Sequence, residues 1–189
     1  MTTKPRVLGC REVARSRLFR VEELDLEFSN GSRRRFERVA GDVADSVLVV
    51  PLVAPRTVLL VREYAAGSDR YEIGLPKGIV EPGEEVLGAA NREIQEEVGH
   101  AAEELTLLRT LSLAPAYIRH RTHVVLARRL YPKIAEGDEP EPPAVVPWSL
   151  DELDRLFARD DFSEARSIAA LCLTRRFLQR GSGKIAMDE

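Results

Sequence analysis

The segment GIVEPGEEVLGAANREIQEEVGH, residues 78–100, decides the fold because it joins a loop of glycines and prolines to a helix. We predict that helix over about 84–98, ended by Gly99. Glu93, Glu96 and Glu97 lie on one face of it, because at about 100° per residue they span an arc of roughly 100°. Like charges at this spacing repel each other, so the turn requires an explanation.

Three interpretations of this acidic turn are open: a solvated helix face, a binding site for a cation, or a catalytic centre built on that cation. Leu87, Ile94 and Val98 form an adjoining apolar stripe that would pack the helix onto a core. The acidic face therefore borders buried surface, where like charges need a positive group between them. Hard oxygen ligands at this spacing suit Mg²⁺ or Mn²⁺.

The residues around the acidic turn follow a fixed spacing, G-x5-E-x7-R-E-U-x-E-E-x-G-U, where U is bulky and apolar. The matching positions are Gly78, Glu84, Arg92, Glu93, Ile94, Glu96, Glu97 and Gly99. Only His100 departs from the pattern, at a position that ends the helix and carries no chemistry. This spacing resembles the Nudix box, and the chain is similar to Nudix hydrolases.

The resemblance implies an α/β fold, an α/β/α sandwich with a mixed sheet, and hydrolysis of a diphosphate with Mg²⁺ or Mn²⁺ bound. It assigns as metal ligands Glu93, Glu96, Glu97 and the backbone carbonyl of Lys77. Arg92 and Glu84 match an ion pair that orients Glu93, and we count both with Glu96 among the catalytic residues.

Segments outside the box resemble the members of the family that act on ADP compounds. LLVREYAAGSDRYEIGLPKG (59–78) contains Arg62, which we expect to face the substrate. LAPAY (113–117) supplies both a proline and Tyr117, a combination that suggests mixed specificity. The implied substrates are ADP-ribose, NADH and diadenosine polyphosphates, each cleaved to AMP and the remaining phosphorylated half.

A general base is expected in the acidic loop EGDEPEPP (136–143), where related pyrophosphatases carry a glutamate on a mobile loop. We favour Glu139, with Glu141 as the second candidate. His120 and His123 match no family position, and we expect ordinary polar roles for both.

Other functions remain open beside this one. Within enzymes, the chain could be a nucleoside triphosphate or nucleotide-sugar Nudix hydrolase, since nothing in the box excludes either. A non-catalytic nucleotide-binding Nudix module is a different class, but such modules usually lose box carboxylates that this chain keeps. A purely structural acidic helix would require the spacing to be accidental.

The remaining pattern predicts a mixed α/β chain rather than a βαβ repeat. We expect two strands within 16–40 joined at Asn30-Gly31, and further strands over 46–53, 57–64, 104–115 and 122–132. The four prolines in 136–148 argue against regular structure for most of that segment. A capping box at Ser149 and Glu152 predicts one helix, and a longer one should span about 163–179.

The length, net charge and cysteine content of the chain limit its expected partners and location. With 189 residues and a net charge of −3, we expect neither nucleic acid nor a membrane as a partner. The family resemblance implies small-molecule nucleotides as partners. Two cysteines predict reduced thiols and a cytoplasmic location. We divide the chain into an N-terminal extension over 1–45 and a Nudix domain over 46–189, and the resemblance to related enzymes implies that the extension forms a homodimer.

Overall fold

The computed structural model describes residues 3–40, 45–137 and 140–181, in which seven strands precede the first helix and three more strands separate it from the C-terminal helices. The strands are β1 (Arg6–Arg15), β2 (Arg20–Glu27), β3 (Arg33–Ala40), β4 (Ser46–Ala54), β5 (Thr57–Ala65), β6 (Arg70–Gly74), β7 (Lys77–Ile79), β8 (His100–Ser112), β9 (Arg121–Pro132) and β10 (Ala144–Ser149). The helices are α1 (Val86–Glu97), α2 (Leu153–Phe157) and α3 (Ala165–Gln179), and a single 3-10 turn, Leu150–Glu152, precedes α2.

The described residues fall into two compact units. The first comprises those within 1–44 together with 112–121, and the second those within 45–111 and 122–189. The division into an extension over 1–45 and a Nudix domain over 46–189 stays a prediction.

The first unit is a three-stranded antiparallel sheet in the order β1-β2-β3. The predicted hairpin is confirmed: the Phe28 amide donates to the Ser32 carbonyl at 2.9 Å, and Gly31 has a φ of 78°. Glycine adopts that backbone conformation without the cost that a side chain would add. Strand β1 was not predicted, because its exposed residues give no apolar alternation.

The second unit is built on a mixed sheet in the order β10-β5-β4-β9-β8, with β6 beside β5 and β7 beside β4. Strands β4 and β9 are parallel, whereas β4 and β5 are antiparallel. Alternate residues of β4 point to opposite faces. Leu48 and Val50 pack into a core that includes α3, while Val47 and Val49 pack into a second core that includes α1. Helices on both faces of one sheet confirm the predicted α/β/α sandwich.

Three short strands of this unit were not predicted from the sequence. Strands β6 and β7 have five and three residues, too few for a periodic signal. Strand β10 begins within the segment 136–148, most of which was expected to be irregular, so the strand at its end was not predicted. The strand pairs with β5 at the edge of the sheet. An edge position tolerates Pro147, which lacks a backbone donor.

The helices follow the prediction with shifted ends. Helix α1 begins at Val86 rather than at residue 84. Before α2 the Ser149 hydroxyl accepts from the Asp151 amide at 3.2 Å, but the Glu152 side chain pairs with Arg155 instead of closing the capping box. Helix α3 is capped by the carboxylate of Glu164.

Candidate active site

A glycine allows the loop before α1 to lie against that helix. A Cβ added to Gly78 would overlap the carboxylate of Glu93, so only glycine leaves room for that side chain. The turn that follows uses Gly83, with a φ of 83°, and α1 is ended by Gly99, with a φ of 67°. The loop and the first carboxylate of the acidic turn therefore fit each other closely.

The positive group that the acidic turn requires is Arg92. Its Nη1 donates to Glu93 Oε1 at 2.7 Å and to Glu96 Oε2 at 3.1 Å. Its Nε donates to Glu84 Oε1 at 3.0 Å, and Nη2 to the Ile79 carbonyl at 2.9 Å. The hydrogen bond from Arg92 lowers the pKa of Glu84, and Glu84 in turn raises the pKa of Arg92. The guanidinium thus joins the loop to two carboxylates of the turn.

Glu97 contacts the loop from the other end of the turn. Its Oε1 accepts from the Lys77 backbone amide at 3.3 Å. The Lys77 ammonium forms an ion pair with Glu63 of β5. Glu93 and Glu97 are each only 7% exposed. Lys77 was predicted for its carbonyl, and the structure brings its backbone to the carboxylate of Glu97.

The three glutamates face one cavity of about 320 Å³, which we call the carboxylate cavity. Its lining comprises Glu93, Glu96, Glu97, residues 134–137, Pro142 and Pro143. The segment 133–135 is fixed to α1, because the Lys133 amide donates to the Gly99 carbonyl at 3.0 Å and the Ala135 amide to the Gln95 carbonyl at 3.1 Å. Part of the predicted base loop therefore forms a wall of the cavity that contains the predicted metal ligands.

The residues of the carboxylate cavity fit a divalent cation of the magnesium class. Carboxylate oxygens are the donors that such cations prefer, and the cavity leaves space for waters or phosphate oxygens beside them. Arg92 pairs with Glu93 and Glu96 in this structure. Within 3–40, 45–137 and 140–181, no three acidic, histidine or cysteine side chains form a preassembled metal cluster.

A second cavity, of about 370 Å³, adjoins the first, and we call it the tyrosine cavity. It is lined by Arg62, Glu63, Tyr64, Tyr71 and residues 140–144, so Pro142 and Pro143 belong to both cavities. Arg62 was predicted to face substrate; it lies here, with its guanidinium 5.2 Å from the centre of the Tyr71 ring. Neither tyrosine was singled out from the sequence, because only the pairing of β5 with β6 brings them together.

The structure describes one of the two candidate bases. Glu139 lies outside the described residues. Glu141 lines the tyrosine cavity, where its Oε2 accepts from the Tyr71 hydroxyl at 2.9 Å. The structure does not bring Glu141 into the lining of the carboxylate cavity.

Tyr117, the second predicted substrate residue, belongs to the first unit. It lines a cavity of about 390 Å³ there, and its backbone carbonyl accepts from the Val39 amide at 2.7 Å. His123 hydrogen-bonds to Asp45 at 3.1 Å and to Thr110 at 3.0 Å, contacts of the ordinary polar kind that we expected.

Comparison with known proteins agrees with this geometry. Residues 43–172 match the family model of the NUDIX domain, and residues 5–38 match that of the NudE-type Nudix hydrolase N-terminal domain. The chain is 48% identical to the ADP compounds hydrolase NudE of Escherichia coli (strain K12), covering 96% of this chain and 97% of that protein. It is 27% identical to the ADP-ribose pyrophosphatase of Bacillus subtilis (strain 168), covering 80% of each.

A crystal structure of an ADP compounds hydrolase superposes with a TM-score of 0.90 at 48% identity, over 98% of this chain and 99% of that one. The chain therefore belongs to the Nudix hydrolase family, and it is an enzyme of the hydrolase class. Within that family its N-terminal residues are of the NudE type. Nudix hydrolases depend on a divalent metal, as the acidic turn predicts. No helix in the described ranges is long and apolar enough to cross a membrane.

Proposed function

We propose that this enzyme uses Mg²⁺, or Mn²⁺ in its place, to hydrolyse the diphosphate of ADP-linked compounds to AMP and the other phosphorylated half. The observation that carries the proposal is the carboxylate cavity: three glutamates of one helical turn face a single space beside a glycine loop. The substrate class is supported by the relatives named for ADP compounds and ADP-ribose.

The metal would be held by the carboxylates of the acidic turn and by one backbone carbonyl. The proposed ligands are Glu93, Glu96, Glu97 and the carbonyl of Lys77. When bound, such a cation neutralises phosphate oxygens, acidifies water and stabilises the leaving group. Arg92 and Glu84 position Glu93, since the guanidinium contacts both carboxylates at once.

The reaction is attack by water on one phosphorus of the diphosphate. A bond forms from the water oxygen to that phosphorus, and the bond to the bridging oxygen breaks, so that AMP and the other phosphorylated half are released. The water proton passes to a carboxylate of the loop 136–143. We propose Glu139 for this role. Glu141 is the second candidate, because its carboxylate is already engaged by a hydrogen bond from Tyr71.

The proposed substrates are ADP-ribose, NADH and diadenosine polyphosphates. Arg62 would contact a phosphate, because its guanidinium lies in the cavity that adjoins the carboxylates. We assign Tyr117 to substrate recognition on the family resemblance; its side chain is exposed in the first unit.

We propose that the enzyme works as a cytoplasmic homodimer on small-molecule nucleotides, without nucleic acid or membrane partners. The three-stranded sheet of the first unit supports the dimer, because several of its apolar side chains are exposed. They include Val7, Leu8, Val13 and Phe36. Covering these side chains between two copies of the chain would remove apolar surface from water, which favours association. Light scattering during gel filtration tests the dimer through the mass of the eluted particle.

Product chromatography tests the proposed function. The protein is incubated with Mg²⁺ and, separately, with ADP-ribose, NADH, diadenosine triphosphate and a nucleoside triphosphate, and each reaction is repeated with a chelator. We expect AMP from the first three and its loss on chelation. Pyrophosphate from the triphosphate alone would contradict the substrate class while leaving the Nudix chemistry in place. Absence of product from all four would indicate a nucleotide-binding module instead.

A further inference from the structure

The tyrosine cavity contains side chains that the proposed hydrolysis does not use. Tyr64 of β5 and Tyr71 of β6 are partners in the antiparallel register, so their rings meet on one side of the hairpin. The ring centroids are 5.8 Å apart and the planes are inclined at 70°. This edge-to-face arrangement is a favourable one for aromatic pairs.

Both rings are fixed through their hydroxyl groups. The Tyr64 hydroxyl donates to Asp69 Oδ1 at 2.6 Å, and the Tyr71 hydroxyl donates to Glu141 Oε2 at 2.9 Å. These acceptors raise the pKa of each phenol. The pair therefore presents a preorganised aromatic surface, for which little side-chain freedom is lost when a ligand binds.

The two rings differ in their exposure and in the groups that lie over them. The Arg62 guanidinium lies over Tyr71, which is 42% exposed, and Tyr64, at 54%, is the more exposed ring of the same cavity. An exposed ring held in place beside a cation matches a ligand that combines a planar aromatic part with a phosphate. The adjoining carboxylate cavity is where the diphosphate of such a ligand would be cleaved.

We propose that the tyrosine cavity binds a nucleobase of the substrate, stacked on Tyr64, while Arg62 contacts the phosphate next to it. The proposal rests on the proposed function for the identity of the ligand as a nucleotide. A cavity of about 370 Å³ lies in the size range of small-molecule sites. Stacking of a base on an aromatic ring contributes to binding whichever base is present, because every base has a π-face.

The base could be the adenine of the AMP half or the base of the other half. ADP-ribose distinguishes them, because its second half carries no base, whereas NADH and diadenosine triphosphate have one in each half. Steady-state kinetics with these three substrates should be measured for wild type, Tyr64→Leu and Tyr64→Phe. Tyr131→Leu, an exposed tyrosine of β9 outside this cavity, is the matched control.

Tyr64→Leu should raise KM about 10-fold, while Tyr64→Phe, which keeps the ring, stays within about twofold of wild type. A rise for all three substrates assigns the adenine of the AMP half to the cavity. A rise for NADH and diadenosine triphosphate alone assigns the other base. An unchanged KM for every substrate, or a fall in kcat without a change in KM, overturns the proposal.

A binding measurement separates this proposal from the hydrolytic function. Calorimetry with AMP, reduced nicotinamide mononucleotide and ribose 5-phosphate needs no turnover. Tyr64→Leu should weaken binding of at least one of the two nucleotides about 10-fold and leave ribose 5-phosphate unchanged. If wild type hydrolyses no ADP compound but this difference is found, the proposed function fails and the base site stands. If hydrolysis is found without the difference, the base site fails.

Discussion

Arginine pairs with carboxylates in two regions of this molecule, with different consequences. In the first unit, Arg11 pairs with Glu23 at 2.8 Å and Arg35 with Asp25 at 3.2 Å across neighbouring strands. The Arg35 side chain is 70% exposed, whereas that of Arg92 on α1 is 29% exposed. Exposed pairs contribute about 0–1 kcal/mol each, because water screens the charges.

The difference lies in what surrounds the pair. Around Arg92 the carboxylates line a cavity and one of them fills the space that Gly78 leaves open. In the sheet, Asp25 and Arg35 also line a cavity, of about 410 Å³, but its other charged side chains are arginines rather than carboxylates. Pairs of the same chemistry therefore act as solvated surface in one region and as the framework of a site in the other.

Replacing one carboxylate in each region gives the largest contrast. Glu97→Gln should lower kcat about 1000-fold, because several kcal/mol of transition-state stabilisation depend on the metal ligands. The matched Glu23→Gln in the sheet should stay within about twofold of wild type. Circular dichroism checks that both variants are folded, and initial rates with ADP-ribose give the effect. Equal rates for the two variants would remove the distinction between the regions.

Glutamine variants of the acidic loop 136–143 distinguish between the two candidate bases. Glu139→Gln should lower kcat about 100-fold with little change in KM, since a general base acts on the chemical step. Glu141→Gln should have a smaller effect, because that carboxylate is engaged by Tyr71. A pH–rate profile of each variant identifies the base by the loss of the acidic limb. The reverse order of effects would move the role to Glu141.

The glycine beside Glu93 offers the next contrast. Gly78→Ala should lower the free energy of unfolding by about 1–3 kcal/mol and reduce activity, since the new Cβ displaces the Glu93 carboxylate. Gly67→Ala is the control, because a Cβ there meets no atom within 4 Å. Urea unfolding of both variants measures the difference. A Gly78→Ala variant as stable and active as the control would show that the close fit is not needed.

A third arginine–glutamate pair tests the effect of burial on stability, because it lines neither the carboxylate cavity nor the tyrosine cavity. Burial alone would raise the pKa of Glu164, but Arg166 and Ser167 lower it below its usual value of 4.5. A carboxylate with a lowered pKa stabilises the fold above its unfolded pKa, and this contribution disappears as pH falls through the folded value. Glu164→Gln should therefore cost about 1 kcal/mol at pH 7 and less below about pH 4.

Urea midpoints at the two pH values measure that change. Glu103→Gln on the surface should shift the free energy of unfolding by less than about 0.5 kcal/mol at either pH. If Glu164→Gln lowers the free energy of unfolding as much in acid as at pH 7, the shape of the Glu164 side chain, rather than its charge, stabilises the start of α3.

The sequence predicted those parts of the site that lie close together along the chain. The box spacing placed Glu93, Glu96 and Glu97 on one turn, and the mixed α/β class followed from strand and helix patterns. The helices on both faces of the sheet were implied by the resemblance to Nudix hydrolases. Contacts between distant segments could not be read in this way. Tyr71 and Glu141 are 70 positions apart, and their contact depends on the pairing of β5 with both β6 and β10. Strand β10 itself was not predicted because of Pro147 and the three prolines that precede the strand.

The central claim is that the acidic turn of α1 binds a divalent cation. Titration with Mn²⁺, followed by electron paramagnetic resonance of the free ion, measures this without substrate or turnover. Wild type and Glu23→Gln should bind Mn²⁺ equally, and Glu97→Gln should bind it at least about 10-fold more weakly. Equal binding by all three proteins would contradict the claim and place the cation elsewhere.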